Sequence, residues 1–205
     1  MKIKTLVVGQ LSTNCYLVYD EKDGEAIIID PGDAGDYLAQ QVLELKLLPQ
    51  AIVATHGHFD HLLAAEELKL IFDVPFLIHR ADLFLVKRVG DSAKYFLGVR
   101  PELVVKPERF IKEDDEIIFG KERLKVLETP GHTPGGICLY GKGVLFSGDT
   151  LFSGGVGRTD FAYSSNSDLQ KSLEKLRKLP PDTVVYPGHG PSTRLDLVGG
   201  WTSKS

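Results

Sequence analysis

With 205 residues the chain is long enough to bury a core without disulfides or a structural metal, and one domain over residues 1–205 is the expectation. Its 24 basic and 28 acidic side chains give a formal charge of −4 with no block of like charge, so nucleic acid is not an expected partner. No apolar run approaches the ~18 to 20 residues that cross a bilayer, the first 20 residues read as folded protein rather than a leader, and Cys15 and Cys138 are too far apart to make a disulfide framework. A soluble protein of the reducing cytoplasm, without a membrane partner, is expected.

In chain order, Ile3 to Val8, Tyr16 to Tyr19 and Ala26 to Ile29 are short β-prone runs separated by turn residues such as Asp23-Gly24. Leu38, Val42 and Leu45 recur at helical spacing and predict a helix over Asp36 to Leu47, stopped by Pro49 before a buried strand, Ala51 to Ala54. Leu62, Ala65 and Leu68 predict a helix over His61 to Phe72, and Phe76 to Ile78 a strand. A helix near Ala81 to Arg88 and then a loop region holding Tyr95, Phe96 and Pro101 are expected. Strands follow at Glu116 to Phe119, Arg123 to Glu128, Gly136 to Tyr140 and Gly143 to Phe146. Ser167-Asp168-Leu169-Gln170 fits a capping box opening a helix that carries Leu169, Leu173 and Leu176 and ends by Pro180-Pro181. Thr183 to Tyr186 is the last strand. Two similar halves of strands and helices imply two sheets face to face with helices outside, an αββα four-layer sandwich of the α/β class.

The stretch Thr55-His56-Gly57-His58-Phe59-Asp60-His61 holds three of the six histidines. His56 and His58 are two apart, so on an extended segment they point to one side and can grip one ion, while Asp60 and His61 can face a second. Composition alone predicts roughly 4 such H-x-H-x-D-H matches in 10,000 chains of this make-up, too few for coincidence. Further ligand types stand singly in turns after predicted strands: His132 in Thr129 to Gly135, Asp149 in Phe146 to Thr150, and His189 in Tyr186 to Gly190. Glycine and proline there let the backbone turn sharply and bring one side chain to a fixed point. Cys15 and Cys138 fall on predicted strands and read as small buried hydrophobes.

T-H-x-H-x-D-H followed by separate His, Asp and His residues in this order resembles the metallo-β-lactamase-fold hydrolases over nearly the whole chain. The resemblance implies that His56, His58 and His132 bind one metal, that Asp60, His61 and His189 bind another, and that Asp149 bridges them. His79 matches no ligand position. Asp30-Pro31-Gly32 matches a family turn that supports the metal loop, and equally a plain strand-ending turn. Gly148-Asp149-Thr150-Leu151-Phe152 and Gly157-Arg158-Thr159-Asp160-Phe161 look most like the glyoxalase II group, the hydroxyacylglutathione hydrolases and their shorter bacterial relatives. Lactamases usually lack an aspartate at the place of Asp149, which argues against antibiotic hydrolysis as the main activity. Full-length glyoxalase II carries a C-terminal helical domain that helps hold glutathione, whereas this sequence runs 16 residues past His189. The family's glutathione-contacting aromatics are not at the matching positions, where Asp160 and Pro191 stand. Arg158 is a candidate contact for a substrate carboxylate, or the partner of Asp160.

The activity implied is hydrolysis of a small-molecule acyl thioester such as S-lactoylglutathione. Two divalent cations, zinc first and iron or manganese as substitutes, would supply a bridging hydroxide and stabilise the oxyanion. Asp60 would be both a ligand and an orienter of the hydroxide, and no protein nucleophile is needed. Substrate choice is expected around Tyr95 and Phe96. A second enzyme class shares the Gly-Arg-Thr-Asp-Phe run: the persulfide dioxygenases, with one iron that His56, His132 and Asp149 would hold. A third possibility is a non-catalytic metal-holding subunit, on the pattern of flavodiiron proteins, whose ligand pattern differs.

Overall fold

The computed structural model describes residues 1–199. Strand β1 (Lys2–Val8) lies antiparallel to β2 (Thr13–Tyr19), and β2 antiparallel to β3 (Glu25–Ile29). From there the chain crosses over through helices, which gives parallel neighbours. Helix α1 (Gly35–Glu44) leads to β4 (Leu48–Val53), α2 (Ala65–Phe72) to β5 (Phe76–His79), and α3 (Leu83–Val86) with α4 (Val89–Leu97) to β6 (Arg109–Ile111). The first sheet therefore runs β1-β2-β3-β4-β5-β6.

The second half winds β7 (Glu116–Phe119), β8 (Glu122–Glu128), β9 (Ile137–Gly141) and β10 (Val144–Gly148) as an antiparallel meander. A short hairpin, β11 (Leu151–Phe152) and β12 (Gly155–Val156), precedes α5 (Asn166–Leu176). Then β13 (Val184–Pro187) pairs parallel with β10, and β14 (Thr193–Arg194) forms the edge, for an order of β14-β13-β10-β9-β8-β7.

Alternation along the strands sorts the side chains into three apolar layers. In β3, Ala26 and Ile28 face α1 and α2 with Leu38, Val42 and Leu68, whereas Ile27 and Ile29 face the other sheet. That middle layer also holds Val53, Phe119, Leu124, Val126 and Phe146. On the outer face of the second sheet Leu127, Cys138, Leu145 and Val185 pack against Leu169, Leu173 and Leu176 of α5. These layers make the expected αββα sandwich. Both cysteines are fully buried, and burial pushes the Cys138 thiol up to about 11 and Cys15 well above its ordinary value. Among the described residues no helix is long and apolar enough to cross a membrane.

Local departures from the expected elements have physical causes. Helix α1 ends at Glu44 because Lys46 turns left-handed (φ 53°), letting the Leu47 amide reach back to the Val42 carbonyl (3.0 Å). Pro49 is not its terminator but lies within β4, where the pairing with β3 shifts register. The helix expected from His61 begins only at Ala65, because Phe59–His61 winds as a separate 3₁₀ turn. Tyr95 and Phe96 are on helix α4 rather than a loop. Both are exposed and leave no apolar stripe to betray it; Val89, Gly90 and Ala93 make its buried face. The 81–88 helix is a 3₁₀ turn, Arg80–Asp82, plus the single turn of α3. Strands β6, β11, β12 and β14 are too short to show a period.

Helix α5 is capped two residues earlier than the Ser167 box implies: the Ser165 hydroxyl accepts from the Asp168 amide (3.3 Å). Ser165→Ala is therefore expected to cost about 1 kcal/mol in urea-unfolding stability, and Ser167→Ala less than about 0.5 kcal/mol; the reverse order would place the cap at Ser167.

Candidate metal centre

The seven donors singled out from the sequence meet at one rim of the sandwich. His56 and His58 leave the end of β4, and the 3₁₀ turn that follows carries Asp60 and His61. His132, Asp149 and His189 follow β8, β10 and β13 of the opposite sheet. Strands β4, β10 and β13 all belong to parallel pairs, whose carboxyl ends are the usual place for a ligand. Hydrogen bonds tie the two sheets together there: Asn14 Nδ2 donates to the Pro187 and Gly190 carbonyls (2.9 and 2.8 Å), and the Ile137 backbone amide to the Thr55 carbonyl (2.9 Å). Two glycines permit the approach. Gly148 takes φ +48° against Thr55, and a Cβ on Gly188 would collide with Asp149 Oδ1.

The donors form two sets. His58 Nδ1 lies 3.1 Å from His56 Nε2 and 3.0 Å from His132 Nε2. His61 Nε2 lies 3.3 Å from His189 Nε2, and Asp60 Oδ2 lies 3.3 Å from His189 Nε2 and 3.7 Å from His61 Nε2. Asp149 stands between the sets, with Oδ1 3.6 Å from His61 Nε2 and Oδ2 3.6 Å from His132 Nε2.

Each imidazole is fixed from outside through its other nitrogen. The His132 and His189 Nδ1 atoms face the carbonyls of Arg158 (2.8 Å) and Leu11 (3.0 Å), and His61 Nδ1 faces Asp30 Oδ2 (3.1 Å). These oxygens only accept, so each Nδ1 carries a hydrogen and each Nε2 is the nitrogen turned inward, the one that would give its lone pair to a cation. The Thr55 hydroxyl donates to Asp30 (2.7 Å) and so accepts from His56 Nδ1 (3.0 Å). His58 is held through Nε2 by the Tyr163 hydroxyl (2.8 Å).

Such a cluster fits metal ions and little else. Inward lone pairs 3.0–3.3 Å apart repel unless a cation lies between them, and two nitrogens on one tetrahedral ion with ~2.0–2.1 Å bonds stand about 3.3 Å apart. Asp149 Oδ1 is buried with no hydrogen-bond partner, as a metal-binding oxygen would be. Burial and the neighbouring imidazoles push His56 far down and His58 down to about 3, so both are neutral and ready to coordinate. Burial works the same way on His61, but the carboxylates of Asp60, Asp149 and Asp30 outweigh it and raise this group to about 10. Burial raises the Asp60 carboxyl, yet His61 and His189 overcome that and hold it below the ordinary carboxylate range. The second set thus has the negative charge that a cation would neutralise.

Asp30 is the supporting residue its turn suggested: besides His61 and the Thr55 hydroxyl, it accepts from the Thr55 amide (2.7 Å). His79 is apart from the centre, paired with Glu128 (3.1 Å). Arg158 makes a two-pronged pair with Asp160 (2.6 and 2.5 Å) and lies over the Phe161 ring. Sequence reasoning missed two residues. Asp82 is fully buried and accepts from Gly57 N (2.8 Å), Thr133 Oγ1 (2.7 Å) and Gly135 N (2.6 Å), joining the His56–His58 loop to that of His132. Its place just after β5, like the donors after other strands, was the available signal. Tyr163 was the other, five residues after Arg158 in a segment without periodicity.

A two-sheet α/β sandwich with histidines and aspartates gathered at one rim defines a class of metal-binding proteins. The profile of the Metallo-beta-lactamase superfamily matches residues 8–189, and the chain belongs to that superfamily. Among its relatives, the hydroxyacylglutathione hydrolase GloC of Haemophilus influenzae is 36% identical, with 95% of this chain and 93% of that protein covered. Two solved structures superpose with TM-scores of 0.88: the B3 metallo-beta-lactamase BLEG-1, 33% identical over 96% of this chain and 95% of that one, and TTHA1623 in a di-iron-bound form, 36% identical over 97% and 100%.

Asp30→Asn replaces an all-acceptor carboxylate by an amide that cannot serve both Thr55 and His61. Metal affinity, measured by competition with a chromophoric chelator, is expected to fall about 10- to 100-fold; a change below twofold would mean that Asp30 does not organise the donors.

Proposed function

We propose that this metallo-hydrolase-superfamily protein is a dinuclear hydrolase of acyl thioesters, of the kind S-lactoylglutathione exemplifies. His56, His58 and His132 would hold one ion and Asp60, His61 and His189 the other, with Asp149 available to both. The observation that carries it is the second donor set, Asp60, His61 and His189, gathered beside the first with Asp149 within 3.7 Å of both its histidines. A one-iron dioxygenase centre on His56, His132 and Asp149 would carry the same motif residues, so metal count and oxygen uptake separate the two readings. The di-iron form of TTHA1623 and the name of GloC support two ions and a thioester substrate.

When bound, the ions polarise the thioester carbonyl and make water acidic enough to attack near neutral pH. The chain's own residues do the rest. Asp60, held at Oδ2 by His189 and reached by the Thr13 hydroxyl (3.4 Å), orients the attacking water toward the carbonyl carbon. The C–S bond then breaks, and thiolate is a good enough leaving group that no strong acid is required. Zinc is the proposed metal, with iron and manganese as the alternatives that elemental analysis separates.

Protein purified without added metal is expected to contain two metal equivalents per chain and to hydrolyse S-lactoylglutathione. One iron with oxygen uptake on glutathione persulfide would overturn the proposal, as would cefotaxime hydrolysis faster than thioester hydrolysis. Asp60→Ala should lose the second equivalent and at least 100-fold in kcat while keeping the first; a mononuclear dioxygenase would keep its iron and its rate.

A further inference from the structure

Beside the centre lies a cavity of about 260 Å³ with His58 and Asp60 at its base. Its walls are two pairs of stacked rings. Phe59 and Phe96 lie nearly parallel with centroids 5.5 Å apart, and Phe161 and Tyr163 lie nearly parallel at 5.4 Å. Phe161 also meets His58 edge-on at 5.3 Å, and Leu11 completes the lining. The pairs come from unrelated segments: the 3₁₀ turn with α4, and the stretch after β12.

Charge is nearly absent from these walls. Arg158 is the one cation lining the cavity, and both faces of its fork are spent on Asp160 while its plane lies 4.6 Å from the Phe161 ring. Glutathione carries two carboxylates and an ammonium group, and among the lining residues it would find no free charge except the Asp60 carboxylate committed to the centre; the exposed Arg88, near enough to act on Tyr163, lies outside the lining. A desolvated carboxylate without a partner is costly.

One neutral donor does point inward. His58 faces the other donors through Nδ1, so its Nε2 carries the hydrogen and the Tyr163 oxygen accepts it. That leaves the Tyr163 hydroxyl hydrogen for an acceptor in the cavity; among the described residues no protein acceptor takes it. The other histidine anchors facing carbonyls or Asp30 have no such hydrogen to give.

We propose that the preferred substrate is an uncharged acyl thioester with a flat or apolar group, gripped between the Phe59–Phe96 and Phe161–Tyr163 pairs and hydrogen-bonded by Tyr163, rather than an anionic glutathione conjugate. This rests on the thioester-hydrolase function proposed above. It makes Phe96 a specificity-determining residue and Tyr163 a substrate contact.

The test compares kcat/KM of the metal-loaded enzyme on S-lactoylglutathione and on the phenylacetyl thioester of N-acetylcysteamine. The neutral thioester should be favoured at least 10-fold. In calorimetry, the inert thioether S-benzyl-N-acetylcysteamine should bind more tightly than S-methylglutathione, and Phe96→Ala should weaken it at least fivefold with metal content unchanged. Asp160→Asn, which frees Arg158, should lower KM for S-lactoylglutathione at least threefold. Equal or reversed preference with two metals bound would overturn this proposal and leave the hydrolase function standing; failure to hydrolyse either thioester with two metals bound would overturn the function itself.

Discussion

The Asp30 carboxylate lies at the buried end of β3 and takes the Thr55 amide, the Thr55 hydroxyl and His61 Nδ1 on its two oxygens. A carboxylate so deeply buried is tolerated only when both its oxygens are hydrogen-bonded. Once it is in place, Thr55 is oriented, His56 is oriented by Thr55, and His61 is set with its lone pair inward. The parallel β3–β4 pairing exists in the same sense for this contact: it brings Asp30 and Thr55 to the ends of adjacent strands. Asp82 repeats the device one strand further along, fastening Gly57 to the loop of His132. Burial raises the Asp82 carboxyl above its ordinary value, despite the hydrogen bonds from Thr133, Gly57 and Gly135. Two buried carboxylates thus hold the loops on which four of the imidazoles stand, while the His189 loop is held by the Asn14 side chain.

Much of this was legible in the sequence, for a definite reason. Side chains that must converge on one point from several strands stand just after those strands, beside the glycines and prolines that turn the chain, so His132, Asp149 and His189, weak signals singly, stood out once read together with the His56–His61 cluster. Two sheets with helices outside were readable because the runs Ala26–Ile29 and Ala51–Ala54 are apolar without a break, as strands covered on both faces are. What stayed hidden has no period. Helix α4 leaves both its aromatic side chains exposed, Phe96 on the cavity and Tyr95 outside its lining, so they give no apolar stripe on the buried face. Asp82 looks like any surface aspartate until the loops of Gly57 and Gly135 close over it. Asp160 and Pro191 stand where the family's glutathione-contacting aromatics would be, yet Phe161 and Tyr163 reach the centre from one and three residues beyond Asp160.

Centre and cavity meet at His58. Its Nδ1 faces the donors and its Nε2 faces Tyr163, so one ring joins metal-binding geometry to the substrate side. Arg158 plays a parallel double part: its carbonyl anchors His132, while its guanidinium is neutralised by Asp160. Changes in the Gly157 to Tyr163 segment would therefore move ligand geometry and substrate preference together. This coupling offers a physical route by which one fold can host different hydrolytic chemistries.

The most direct measurement is anomalous diffraction at the metal absorption edge from crystals of protein purified without added metal. Two peaks are predicted, one bonded to His56 Nε2, His58 Nδ1 and His132 Nε2, the other to His61 Nε2, His189 Nε2 and Asp60, with Asp149 between them. A single peak on His56, His132 and Asp149, with the His61 and His189 side empty, would contradict the account.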